Sequence, residues 1–144
     1  MKLTRQYFVD VNQPERTNFI ARKGAFHGTT LGSLWLTEKI GIRSPFEPLL
    51  IAGHVSFVST PNIYRGMVAG ETIEEYVQRL IEEIRAEFER VGPSKIGAFV
   101  AETFTGSVSL RLSSILRDFV DECGIVIGLP CSTSRIFQSS SINL

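Results

Sequence analysis

A helix followed at once by a strand, both in the second half of the chain, limits the fold most. Thr72 and Glu75 stand at the spacing of a capping box, and Ile73, Val77, Leu80, Ile81, Ile84 and Phe88 recur at helical spacing after them. Gly92-Pro93 stops the pattern. Ile96-Gly97-Ala98-Phe99-Val100-Ala101 comes next and is apolar throughout. A strand without polar alternation is buried on both faces, as in a parallel sheet covered by helices. The chain is therefore expected to be α/β, with this helix covering the sheet. Glu75 and Arg79 on its outer face have the i,i+4 spacing of a surface ion pair.

An earlier segment repeats the theme in reverse order. The apolar run Phe19 to Ala21 suits a first strand, Thr17 to Arg22, followed by a basic turn and then Phe26-His27-Gly28. Leu31, Leu34 and Trp35 at helical spacing predict a helix from His27 to about Leu36. Strand, turn and helix in this order place the turn at the carboxyl end of a sheet, where open α/β folds bind ligands. A flat aromatic beside an imidazole, then a residue without a side chain, suits a planar, charged ligand close to the backbone.

The remaining segments are less regular. Leu3, Tyr7 and Val11 predict a short amphipathic helix from Met1 to about Val11, and Pro14 marks a turn over Asn12 to Arg16. From Thr37 to Gly70 the chain is rich in Gly and Pro, with only a short alternating piece near His54 to Val58. It is expected to be a long loop region, which in a compact domain marks function or partner contact. Ser113 to Cys123 is expected to be a helix, Gly124 its C′ residue and Ile125 to Leu129 a last strand. The Ser-rich stretch 130–144 has no period and is expected to be disordered.

Composition excludes several function classes. The 15 basic and 15 acidic residues cancel, so no bulk charge steers the chain to nucleic acid or an acidic membrane. No apolar run reaches membrane-spanning length. Cys123 and Cys131 make no metal pattern, and His27 with His54 are too few and too far apart for a zinc site, so no metal is expected. Gly28-x-x-x-Gly32 is neither a dinucleotide nor a P-loop fingerprint, and there is no Gly-x-Ser-x-Gly elbow. The polar first residues form no secretory signal and a poor transit peptide, so the expected location is cytoplasmic, with the mitochondrion the other compartment the sequence allows.

Arg22-x-x-x-Phe26-His27-Gly28-x-Thr30 resembles the Arg-x-x-Tyr/Phe-His-Gly-x-Thr signature of the class III pyridoxal-phosphate-dependent aminotransferases. Lys2, Arg5 and Tyr7 resemble the family's preceding helix, and Pro61-Asn62-Ile63-Tyr64-Arg65 resembles its Pro-x-x-Tyr-Arg element. The resemblance implies a partial three-layer αβα large domain of fold type I over 1–129, with an incomplete, mostly parallel sheet. It implies pyridoxal 5′-phosphate as cofactor, Phe26 stacked on its ring, and His27 and Gly28 beside it. It also implies a homodimer moving an amino group from an amino donor to a 2-oxo acid.

The same resemblance makes Glu102 a candidate catalytic residue, because the family's matching strand ends in Glu-Pro beside cofactor and substrate; here Thr103 replaces the Pro. The family's next strand ends in Asp-Glu, with the Asp on the pyridine nitrogen, where this chain has Leu129-Pro130-Cys131. The Schiff-base lysine has no match among Lys2, Lys23, Lys39 and Lys95, and the family's Gly-Ser phosphate turn would precede Met1. The expectation is thus a fragment of the family's fold, weakly stable and inactive alone. Two alternatives stay open: a non-catalytic partner of an intact homologue, docking through Thr37 to Gly70, or a small independent domain for another planar ligand.

Overall fold

The computed structural model describes residues 1–101 and the strand 126–128. In chain order the elements are α1 (Lys2–Asp10), β1 (Asn18–Arg22), α2 (Leu31–Trp35), α3 (Ile40–Arg43), a 3-10 helix (Ser44–Leu49), β2 (Val55–Val58), α4 (Ile63–Gly66), α5 (Ile73–Val91), a 3-10 turn (Pro93–Lys95), β3 (Ile96–Val100) and β4 (Val126–Gly128). The strands form one sheet in the order β2-β1-β3-β4, and every pairing is parallel. Glu102, Cys123, Cys131, the expected helix Ser113 to Cys123 and the stretch 130–144 lie outside the described residues.

The expected strands at 17–22, 96–101 and 125–129 correspond to β1, β3 and β4, but the sheet has one more strand than expected. β2 lies inside the stretch expected to be a loop, which also holds α3, the 3-10 helix and α4. Among the described residues β2 is an edge strand that pairs on one side only, with Phe19 opposite Val55 and Arg22 opposite Val58. Three of its four residues are only half-buried, so it never needed the unbroken apolar run that marks β3.

α5 begins as its sequence predicts. The Thr72 side chain accepts from the Glu75 amide, and the Glu75 carboxylate accepts from the Thr72 amide at 2.8 Å. That engagement keeps Glu75 from the expected pair with Arg79. Arg79 instead binds both carboxylate oxygens of Glu71 at 2.8 Å. The buried face is Tyr76, Leu80, Ile81, Ile84 and Phe88. Ile73, expected on it, is exposed, and Tyr76 takes its place because its ring reaches the loop after β2. Gly92 (φ 93°) closes the helix, its amide donating to the Phe88 carbonyl.

The sheet is covered on both faces, as a layered α/β domain requires. Ile20, Val58 and Phe99 pack against Tyr76, Leu80, Ile84 and Phe88 of α5. Phe19, Ala98 and Val100 form a second cluster with Leu36, Trp35 and Met1. The β1–β3 register slips between Asn18 and Phe19, leaving Gly97 as an extra residue on β3. The slip puts Ile96 in the α5-side cluster with Phe99, although strict alternation would put them on opposite faces. A Cβ at Gly97 would stand 3.2 Å from the Arg16 carbonyl. α1 buries Phe8 while Leu3 is 67% exposed, so the expected Leu3-Tyr7-Val11 stripe is not its packing face. Arg16 lies over the Phe8 ring, which fixes that helix against the start of β3.

Candidate functional site

Because all strands are parallel, their carboxyl ends share one edge of the sheet. From β1 the chain goes on to β2 on one side; from β3 it goes on to β4 on the other. The connections therefore diverge between β1 and β3, the position where open α/β sheets form a ligand crevice. The residues after β1, Lys23 to Gly28, stand at this edge. Glu102 follows Ala101 here in sequence but lies outside the described residues.

The loop after β1 is held by a series of backbone contacts. The Lys23 amide donates to the Val58 carbonyl, and the Thr60 hydroxyl donates to the Lys23 carbonyl. The Gly24 amide (φ 70°) donates to Glu38 Oε2 at 2.7 Å. The His27 amide donates to Thr37 Oγ1 at 3.0 Å, and that hydroxyl donates to the Ser33 carbonyl at 2.9 Å. Thr37 is 0% exposed, so both bonds are made away from water. Ala25 is buried and anchors the loop, whereas Phe26 beside it is 41% exposed. His27 and Gly28 are half-buried.

The helix after this loop starts later than expected, at Leu31 rather than His27. Gly28 has φ 121°, which no helical residue adopts, and Thr30 in an extended conformation caps the first turn. A Cβ on Gly28 would meet Ser33 Oγ at 2.7 Å. The bare backbone at Gly28 is thus required by the approach of α2. Arg22, the first residue of the motif, is 5% exposed with its guanidinium carbon 5.9 Å from the centroid of the Phe99 ring.

The structure brings Phe26, His27 and Gly28 together at the switch point. Lys23 is exposed in the same turn. His54 packs on Trp35, with ring centroids 6.2 Å apart, and among the described residues no cluster of ligands could hold a metal ion. Sequence reasoning missed Thr37 and Glu38, which carry no motif; only their place just after the apolar Leu34-Trp35-Leu36 hinted at them. A cleft of about 350 Å³, lined by Glu38, Ile40, Arg43, Ser44, Glu47 and Phe57, adjoins the loop after β1 through Glu38. Three carboxyl groups on the surrounding elements are held below their usual range. The Arg43 side chain lowers Glu47, the Arg79 side chain lowers Glu71 to about 2, and the Arg90 side chain lowers Glu87.

A model of the family described as aminotransferase class-III matches residues 1–114. An aminotransferase of Gibberella zeae is 49% identical over 109 residues, covering 74% of this chain and 21% of the relative. An uncharacterized aminotransferase of Schizosaccharomyces pombe is 42% identical over 149 residues, covering 99% of this chain and 32% of the relative. Among solved structures, an omega-transaminase from Thermomicrobium roseum superposes with a TM-score of 0.79 at 29% identity, over 89% of this chain and 29% of that one. The omega transaminase of Pseudomonas jessenii in complex with PMP gives 0.80 at 26% identity, over 88% and 28%. The chain spans only a fifth to a third of the length of the curated relatives it matches.

Proposed function

The chain belongs to the class III aminotransferase family, and on that premise we propose that it supplies the ring-binding part of a large domain holding pyridoxal 5′-phosphate. The enzyme it represents moves an amino group from a small amino donor to a 2-oxo acid, as a cytoplasmic homodimer. The observation that carries this reading is the half-exposed ring of Phe26 standing at the switch point between β1 and β3 on a braced loop.

The residues present fit the ring of such a cofactor. The Phe26 ring is 41% exposed, and an aromatic ring reached by solvent suits stacking with a planar ligand. Next to it, Gly28 leaves the backbone uncovered, and His27 adds an imidazole beside the ring. Bound there, pyridoxal phosphate supplies the electron sink for breaking a bond at the amino-bearing carbon. Phe26 holds the ring plane, His27 flanks it, and Glu102, placed next to Ala101 by sequence, is the carboxylate proposed to orient substrate. The solved relative whose title places it in complex with PMP supports the choice of cofactor.

The homodimer has its own support. Ile40, Phe46, Leu49 and Ile51 are all exposed apolar residues within one short stretch between α2 and β2. Apolar exposure of that kind marks a contact surface. It equally suits the second reading, in which the chain acts as a partner of an intact homologue. Mixing the chain with that homologue and measuring its dimerisation separates the two.

Titration of the purified chain with pyridoxal 5′-phosphate, followed by induced circular dichroism in the cofactor band, tests the ring site. Saturable binding is expected, weakened about tenfold in Phe26→Ala, the effect of losing one stacked aromatic. An unaltered affinity in Phe26→Ala, or no induced band in the wild type, would sink the reading.

A further inference from the structure

We infer that Thr37 and Glu38 form a two-point clamp that sets the backbone on either side of Phe26 and so presents its ring to the cofactor. The inference deepens the ring-site reading above and rests on it for the identity of the ligand. Two consecutive side chains just beyond α2 and its C-cap Leu36 reach back across the loop: Glu38 Oε2 takes the Gly24 amide at 2.7 Å, and Thr37 Oγ1 takes the His27 amide at 3.0 Å. Ala25 and Phe26 lie between these two points, with Ala25 pressed into the protein and Phe26 turned outward.

The chemistry suits positioning. An exposed aromatic at the end of a loop samples several orientations unless its backbone is held, and ordering it at the moment of binding costs affinity. The clamp does that ordering in advance. Thr37 is fully buried and uses its hydroxyl twice, as acceptor from His27 and as donor to the Ser33 carbonyl. Its β-branched side chain has few rotamers, so the acceptor cannot drift. A carboxylate accepting a backbone N–H is among the stronger hydrogen bonds. Gly24, at φ 70°, allows the turn that points its amide at Glu38. Both bonds are made to amides, so Thr37 and Glu38 act through the backbone of the loop.

Amide hydrogen exchange on the purified chain tests the clamp, with pyridoxal 5′-phosphate titration beside it. Thr37→Val should speed exchange at His27, and Glu38→Ala should speed it at Gly24, each about tenfold or more and each mainly at its own amide. Exchange in Ile96–Val100, buried in β3 and outside both clamp hydrogen bonds, serves as the internal reference and should not change. Both variants should raise the cofactor Kd about tenfold, and Thr37→Ser, which restores the hydroxyl, should recover exchange and affinity. Acceleration spread equally over the loop and Ile96–Val100 would reduce the pair to a general stabilising role and overturn the inference. So would unchanged exchange at both amides, or a Thr37→Ser chain that behaves like Thr37→Val. If the wild-type chain binds no cofactor, the ring-site reading falls and takes the ligand half of the inference with it. The exchange measurements still decide the clamp.

Discussion

The phenol oxygen of Tyr76 accepts the Asn62 amide hydrogen at 2.9 Å from within a ring that is 1% exposed. With the same hydroxyl donating to the Thr60 carbonyl at 3.4 Å, it ties the buried face of α5 to the turn after β2, at the same edge of the sheet as Phe26. The contact is close enough that a Cβ on Gly66 would stand 2.4 Å from that oxygen.

Tyr76→Phe keeps the ring and leaves the Asn62 amide without its acceptor. A loss of about 0.5–1.5 kcal/mol is expected, the net worth of one hydrogen bond, because Asn62 is exposed and its amide can turn to water. Gly66→Ala should cost more than Tyr76→Phe, and Tyr76→Phe should rescue part of the loss at Gly66→Ala by removing the clashing oxygen. Denaturant unfolding of the two single variants and the double variant measures this; strict additivity would show that the residues do not meet.

Gly28→Ala faces both a positive φ and the Ser33 hydroxyl. The backbone part alone is expected to cost about 1–2 kcal/mol. Ser33→Ala should relieve the steric part, because the nearest atom is its Oγ. Gly24→Ala has φ 70° but no atom within 4 Å, so it carries the backbone part only. Thermal melts of the three variants should rank Gly28→Ala as the least stable.

Stability should fall in mild acid through Glu71. Its carboxyl group is held at about 2, against an ordinary 4.5, first by the Arg79 side chain and then by the Val68 amide. A carboxylate with a lowered pKa in the folded state contributes stability that is present above its unfolded pKa and is lost as pH falls through its folded pKa. The loss is therefore expected between about pH 4.5 and 2, and the solvent-exposed Arg79 partner keeps it small. Glu71→Gln should flatten the melting temperature across that window relative to wild type. An equally steep profile in the variant would assign the acid sensitivity elsewhere.

Phe99→Ala removes the ring that packs between β1 and α5 and lies near the Arg22 guanidinium. A cost of about 3–5 kcal/mol is expected for such a cavity. That is a large part of a domain's whole stability of about 5–15 kcal/mol, so the chain should be largely unfolded by circular dichroism at temperatures where wild type is folded.

Much of this architecture could be read before any coordinates. α5, its capping box and the Gly92 stop follow from residues within one helix length. β1 and β3 are apolar runs that only a doubly covered sheet accommodates. The motif at Arg22 to Thr30 marked the loop that carries Phe26, His27 and Gly28 to the sheet edge. These features depend on local spacing and on the burial of contiguous side chains, which a linear sequence displays directly.

The rest depended on partners distant in the chain. β2 is half-buried at an edge and became a strand because β1 offered its free side. α1 turned Phe8 inward, and not Leu3, because Arg16 and β3 lie on that side. Glu75 bonded Thr72 and left Arg79 to Glu71, since a rigid cap outcompetes a solvated pair. The sequence by itself determined an α/β chain of class III aminotransferase type and singled out the loop for which the ring site is proposed. Only the tertiary structure decided that Thr37, Glu38 and Tyr76 brace that edge. Hydrogen bonds between 24 and 38, 27 and 37, or 62 and 76 exist only after the sheet and helices have brought those residues together.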